Sequence, residues 1–248
     1  MTRVLAAIDN SAAAQPVLIL GRAVASALGA DLEVVHVVED GHETATSVAE
    51  AAGLRLQQLR GDPVGTLVSA VAEPDVVAIV LGMRDQPGGP RPAGHLALSI
   101  AGHTDKPVFV VPPEAEPVPV LTKVLVAMEG SPGKARALKR TIELSADAGM
   151  EMMIVHVDEE IPSFTDQIQH ETAAYAQEFL ARFVPGALDV QFELRIGSPA
   201  TELLAAIADL RPELIAVGWP HSAEPARGAV AREIVGRSPV PVMLVAVV

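Results

Sequence analysis

Val4-Leu5-Ala6-Ala7-Ile8-Asp9-Asn10-Ser11 is a run of five apolar residues closed by an acid, an amide and a hydroxyl. The pattern returns as Val124-Leu125-Val126-Ala127-Met128-Glu129-Gly130-Ser131, at an offset of 124 − 4 = 120. A short apolar run that stops at a polar turn reads as a strand buried on both faces. Its recurrence makes the chain a duplication. At the same offset Gly29 matches Gly149, and Val35-His36-Val37 matches Val155-His156-Val157. Gly61-Asp62-Pro63 then matches Gly197-Ser198-Pro199, and Gly82 matches Gly218, at offset 136. Gly94 matches Gly228, and Pro107-Val108 matches Pro241-Val242, at offset 134. One insertion of 136 − 120 = 16 residues and one deletion of 136 − 134 = 2 account for the whole series.

Between the copies lies Pro112-Pro113-Glu114-Ala115-Glu116-Pro117-Val118-Pro119. Its prolines cannot continue a helix or a central strand. This places a domain boundary near residue 117, giving domains 1–117 and 118–248.

In the first copy, strands are expected at Val4–Ile8, Leu32–Val38, Leu54–Leu59, Val76–Leu81 and Val108–Val111. The first helix runs to about Leu28, with Val17, Leu20, Val24 and Leu28 on one face, and Gly29 ends it. Pro16 predicts a late or distorted start for that helix. Further helices are expected near residues 44–52, from Val64 to Ala72 and from His95 to Gly102. In the second copy Ser131 suits an N-cap with Pro132 at the first helical position, and the copy ends on the strand Val242–Val248. Strand–helix alternation of this kind means a parallel sheet covered by helices on both faces. Each half is expected to fold as its own helix-sandwiched sheet. Ligands in such folds bind beyond the carboxyl ends of the strands, where strand order reverses. The loops that matter follow the first strand (Asp9, Glu129), the second (Val37, Val157) and the fourth (Gly82, Gly218).

Composition narrows the function. Lys and Arg number 18 against 31 Asp and Glu, a formal charge of −13. Residues 1–117 carry −7 and residues 118–248 carry −6, so neither half has the basic footprint of a nucleic-acid or anionic-membrane binder. With 50% hydrophobic residues the chain can build a core. With no cysteine it has no thiolate chemistry. The opening run Val4–Ile8 is too short for a signal-peptide core or a membrane span. A cytoplasmic protein is expected.

The Asp-x-Ser end of the opening strand, the Val-His-Val strands, the Gly-Asp-Pro and Gly-Ser-Pro turns and the closing Gly-x12-Pro-Val segments resemble the universal stress protein family in its tandem two-domain form. The resemblance implies α/β domains, each a five-stranded parallel sheet of the Rossmann-like, adenine nucleotide alpha-hydrolase-like kind, and in many members ATP binding. It implies an acidic residue after the first strand on the ribose or adenine side (Asp9, Glu129). It also implies a valine backbone against adenine (Val37, Val157), and a Gly-x2-Gly-x9-Gly-[Ser/Thr] loop whose amides hold phosphate at a helix N-terminus.

Gly82 and Gly94 match the outer glycines of that loop in the first copy, and Gly218 and Gly228 match them in the second. Asp85 and His221 replace the middle glycine, His95 and Ala229 replace the hydroxyl, and the spans are one and three residues short. Pro87, Pro90 and Pro92 remove amide donors from the first loop, and Pro220 and Pro225 from the second. Gly88-Gly89 offers an alternative nest, with Arg84 and Arg91 supplying charge. What remains implies residual ATP binding in the first domain of a regulatory, stress-response binding protein. The alternative is a scaffold or small-molecule sensor with both nucleotide sites degenerate. The resemblance also implies that Val108–Val111 and Val242–Val248 pair domain to domain, an intrachain pseudo-dimer, with further assembly into a homodimer left open.

No catalytic constellation is evident. Ser11 reads as a helix cap rather than a nucleophile. His36 and His156 read as hydrogen-bonded structural histidines, against a pocket wall or proton carrier. Asp166 and His170 lack further ligands for a metal, and Asp158-Glu159-Glu160 reads as a solvated loop. The insertion carries Phe164, Ile168, Tyr175, Phe179 and Phe183 on one helical face. That face is core by default; the sharper expectation is a helix covering the second cleft or packing on a partner chain.

Overall fold

The computed structural model describes residues 1–9, 14–38, 46–83, 94–128, 149–158, 190–220 and 228–247, with positions 139, 142, 145, 146, 174, 177, 178 and 181. The expected cap at Ser11, its copy at Ser131, the loop residues Arg84 and Arg91, Glu129, the pair Asp166 and His170, and the aromatic face of the insertion lie outside them.

Ten strands form one sheet. In the first half β1 is Arg3–Ala7, β2 Asp31–Val38, β3 Leu56–Arg60, β4 Val76–Gly82 and β5 Val108–Val111. In the second, β6 is Lys123–Met128, β7 Glu151–Asp158, β8 Gln191–Ile196, β9 Leu214–Pro220 and β10 Val242–Val247. The order across the sheet is β3-β2-β1-β4-β5-β10-β9-β6-β7-β8. The left half, read outward from the centre, repeats in the right half strand for strand. Every pair within a half is parallel, and the central pair β5–β10 is antiparallel. The fold is thus α/β, two repeated five-stranded parallel sheets joined at their closing strands.

The helices begin where the sequence places them. α1 is Ala14–Ala27, with Pro16 near the start of that span. It buries Val17, Leu20 and Val24. α2 is Thr46–Ala51, and α3 (Pro63–Val71) is capped by Asp62, whose carboxylate accepts from the Gly65 amide at 2.8 Å. The corresponding Ser198 precedes α5 (Pro199–Leu210) without a side-chain cap bond. α4 is His95–Ala101 and α6 is Ala229–Arg237. The third strand begins at Leu56 rather than Leu54, because the Leu54 amide still bonds back to the Ala49 carbonyl at 2.9 Å in the exit from α2. Among the described residues no helix is long and apolar enough to cross a membrane.

Two apolar layers exist, one on each face of the sheet, and each runs through both halves. One joins Val4, Ala6 and Val80 to Val124, Val126 and Ile154 through Phe109 and Met243. The other joins Leu5, Ile79 and Ile100 to Leu125, Ile215 and Ile234 through Val108, Val110, Val242 and Leu244. The reason is the seam: alternate residues of β5 and β10 face opposite sides, and apolar residues occupy both faces.

Candidate functional site

The strand order reverses between β1 and β4, because the chain builds β2 and β3 on one flank and then crosses to the other. Clefts form beyond the carboxyl ends at such a point. Here the cleft is lined by Ala7 at the end of β1, Ile8 and Asp9 after it, Val37 on β2, and Gly82 with Met83 at the end of β4. Ala14 and Val17 of α1, Pro63 and Leu67 of α3, and Leu96 of α4 close its sides. Its atom-free space is about 620 Å³, but the centre of a water-sized sphere can move through only about 60 Å³ of that.

Local hydrogen bonding explains how each wall is held. The Ile8 amide donates to the Val35 carbonyl at 3.0 Å. The Nδ1 of His36 bonds the Ile8 carbonyl at 2.8 Å. Both bonds pin the residue before Asp9 to β2. Val35 turns its carbonyl toward β1, and residues two apart on a strand turn their peptide groups the same way. Val37 therefore directs its backbone to the β1 side, where the β1–β2 ladder has stopped at Ala7 and Val35. On the other flank, the Met83 amide donates to the Val111 carbonyl at 2.8 Å and fixes the exit from β4.

Asp9, Val37 and Gly82 are thus brought together from positions spread over more than seventy residues. Gly94 is buried at the start of α4 with φ 73° and ψ 9°, and no side chain caps that helix. A Cβ on Gly94 would lie 2.6 Å from Cγ1 of Val235 in the second half, so both the conformation and the space demand glycine. His95 opens α4 as an exposed residue and is not among the side chains that line the cleft. Arg84 lies outside the described residues.

The second half keeps the local geometry. His156 Nδ1 bonds the Met128 carbonyl at 2.9 Å, matching His36 and Ile8. Gly228 precedes α6 with φ 82° and ψ 18°, matching Gly94. Val157 is half-buried near the end of β7, and Gly218 lies on β9 with the Cγ2 of Val247 2.9 Å from where its Cβ would be. Glu129 lies outside the described residues. At the position after Gly218, where the first half has Met83, stands the buried Trp219, with the Arg232 guanidinium 5.2 Å from its ring centroid. Its Nε1 is buried without a hydrogen-bond partner. The repeat alignment carries the signal for this difference, since Met83 and Trp219 follow the matched glycines.

The shifted carboxyls of Asp75 and Glu213 lie at the other end of the strands. Arg3 bridges Asp75 at 2.9 Å and pairs with Glu33 and Glu73. Its hydrogen bond holds the Asp75 carboxyl below the usual range. At Glu213, burial pushes the carboxyl up, and bonds from the Thr122 amide and hydroxyl and the Lys123 amide outweigh it, so the net shift is downward. No group of three or more potential metal ligands occurs among the described residues.

With this geometry established, comparison with known proteins is informative. A model of the universal stress protein family matches residues 121–246, which is 126 of the 248 residues. A universal stress protein from Archaeoglobus fulgidus DSM 4304 superimposes with a TM-score of 0.70 at 19% identity, covering 98% of each chain. A functionally unknown protein from Pseudomonas aeruginosa PAO1 gives 0.71 at 13% identity, covering 99% of this chain and 92% of its own. A putative universal stress protein from Pseudomonas aeruginosa UCBPP-PA14 gives 0.69 at 12%, covering 99% and 93%. At these identities the likeness is one of fold. No curated protein matches the sequence significantly. The duplicated strand order, the left-handed glycines before α4 and α6 and the family match agree: the chain belongs to the universal stress protein family.

Proposed function

We propose that the chain is a tandem regulatory protein of the stress response whose first domain, residues 1–117, binds an adenine nucleotide, with ATP the expected ligand. The observation that carries this reading is the convergence of Asp9, the Val37 backbone and Gly82 on one cleft at the β1/β4 reversal. Asp9 sits where a carboxylate accepts from ribose hydroxyls or the base, and Val37 offers backbone groups to a planar edge. The phosphates would leave toward Gly94 and His95, and Arg84 is a cation that the sequence offers them. The second domain, residues 118–248, carries the corresponding Glu129, Val157, Gly218 and Gly228 as a weaker second site. The two domains act as an intrachain pseudo-dimer through β5 and β10, the chain works in the cytoplasm, and a homodimer would extend the same principle. Binding rather than turnover is the reading, since no nucleophile–base pair was legible in the sequence.

The test is thermal unfolding with and without ATP and Mg²⁺. A ligand that binds the folded state at a hundred times its Kd adds about 2.7 kcal/mol of stability. An upward shift of Tm with ATP supports the nucleotide reading, and identical curves at millimolar ATP overturn it.

One observation favours the second reading, a scaffold or a sensor of another small molecule. Among the described residues, the side chains lining the cleft are apolar apart from Asp9 and His36, and its room for a water-sized sphere is about 60 Å³. Nucleotide pockets need several hundred cubic ångströms. A shift of Tm by a compact uncharged molecule, with none from ATP, would establish that alternative.

A further inference from the structure

His36 stands on β2 among apolar neighbours, and its two ring nitrogens are used differently. Nδ1 lies 2.8 Å from the Ile8 carbonyl oxygen, which can only accept, so Nδ1 carries the proton. In a neutral imidazole Nε2 is then a lone-pair acceptor. Among the described residues Nε2 has no partner. Nor is it sealed in the core, since the fully buried, unpaired side-chain atom among those residues is Trp219 Nε1. His36 is 8% exposed and forms part of the cleft wall, so the space that Nε2 reaches is the cleft. His156 repeats the Nδ1 bond but makes a further interaction of its own.

We propose that His36 is a ligand-contacting, specificity-determining residue of the first cleft, its Nε2 accepting a hydrogen bond from an N–H or O–H group of the bound molecule. This rests on reading the cleft as a nucleotide site. Among the described residues the polar side chains of the lining are Asp9 and His36. An Nδ1–H imidazole is an acceptor at Nε2. At His36 the cleft wall therefore reads a donor: an amino group or hydroxyl fits there, and a carbonyl edge meets a lone pair. Any molecule that fills the cleft displaces the water that Nε2 would otherwise bind, so it must bring a donor in exchange.

The experiment separates the two nitrogens. In His36→Asn the amide N–H can replace Nδ1 toward the Ile8 carbonyl, with no acceptor at the Nε2 position; His36→Leu removes both. The expected result is that H36N keeps a Tm closer to wild type than H36L does, yet binds ATP·Mg²⁺ about tenfold or more weakly by calorimetry. In ¹⁵N-labelled wild type, Nε2 should report an unprotonated nitrogen whose resonance moves upfield when ATP is added, and this needs no variant. Wild-type affinity in H36N, or an Nε2 resonance unmoved by bound ATP, overturns this assignment and leaves the nucleotide reading standing. Absence of binding heat in wild type removes the nucleotide reading first, and this assignment with it.

Discussion

Phe109 of β5 stands directly opposite Met243 of β10, and the two are the same position of the repeated unit, 134 residues apart. The flanking pairs are Val110 with Val242 and Val108 with Leu244. Exchanging each residue for its repeat mate turns one pair into the other. The register is therefore self-complementary, as in an isologous dimer interface. An approximate two-fold axis runs between Phe109 and Met243, and both are nearly fully buried. Two strands that would be apolar sheet edges in isolated halves are paired here, which removes the edge hazard.

Phe109→Ala should therefore loosen both halves at once. Deleting a buried aromatic side chain costs about 3–5 kcal/mol. Denaturant unfolding should show that loss with the two halves still melting in one transition, because the layer that contains Phe109 spans the seam. Two separate transitions in wild type would contradict a shared core.

Gly94→Ala combines an unfavourable φ of 73° with a Cβ 2.6 Å from Val235 Cγ1. The left-handed conformation alone costs a non-glycine residue about 1–2 kcal/mol. Gly29→Ala at φ 59°, with nothing within 4 Å, should lose only that conformational part. Val235→Ala should relieve part of the G94A defect, so a double-mutant cycle should show non-additivity of about 0.5–3 kcal/mol. Additive effects would mean that the contact across the halves is not the source of the cost.

Asp62 and Ser198 occupy matched turns, but only the Asp62 side chain makes a cap bond. Asp62→Ala should cost about 1 kcal/mol and Ser198→Ala much less. Equal losses in urea titrations would contradict the difference.

Acid stability has a worked sign. The Asp75 and Glu213 carboxyls are held below their ordinary values of 3.8 and 4.5 in the folded state. Their contribution is fully present above those values and is lost as pH falls through the folded-state pKa. Glu213→Gln should flatten the stability curve below about pH 4.5, with little change in its slope near pH 7. An unchanged acid limb in chemical denaturation from pH 6 to pH 3 would refute the role of Glu213.

Asp9→Ala tests the cleft without a large packing change. ATP affinity should fall about tenfold or more, the equivalent of ~1.4 kcal/mol. Full affinity in D9A would place the ligand elsewhere.

Much of this protein was legible in its sequence. Apolar runs such as Val76–Leu81 have one stable solution, a strand buried on both faces. The glycines at 94 and 228 mark backbone that only a residue without a Cβ adopts at low cost. Both are local properties, so reading them twice in the same order fixed the α/β class, the duplication and the family resemblance. Asp9, Val37 and Gly82 were legible as strand-end residues for the same reason. Tertiary structure alone decided that the core is divided by the sheet rather than by the repeat, because that depends on β5 meeting β10 across the seam. It alone placed Val235 against Gly94 and turned one nitrogen of His36 to the Ile8 carbonyl and left the other for the cleft. Periodicity and spacing report which backbone a residue prefers. Which distant atoms come within 3 Å of it is settled only when the strands have chosen their order.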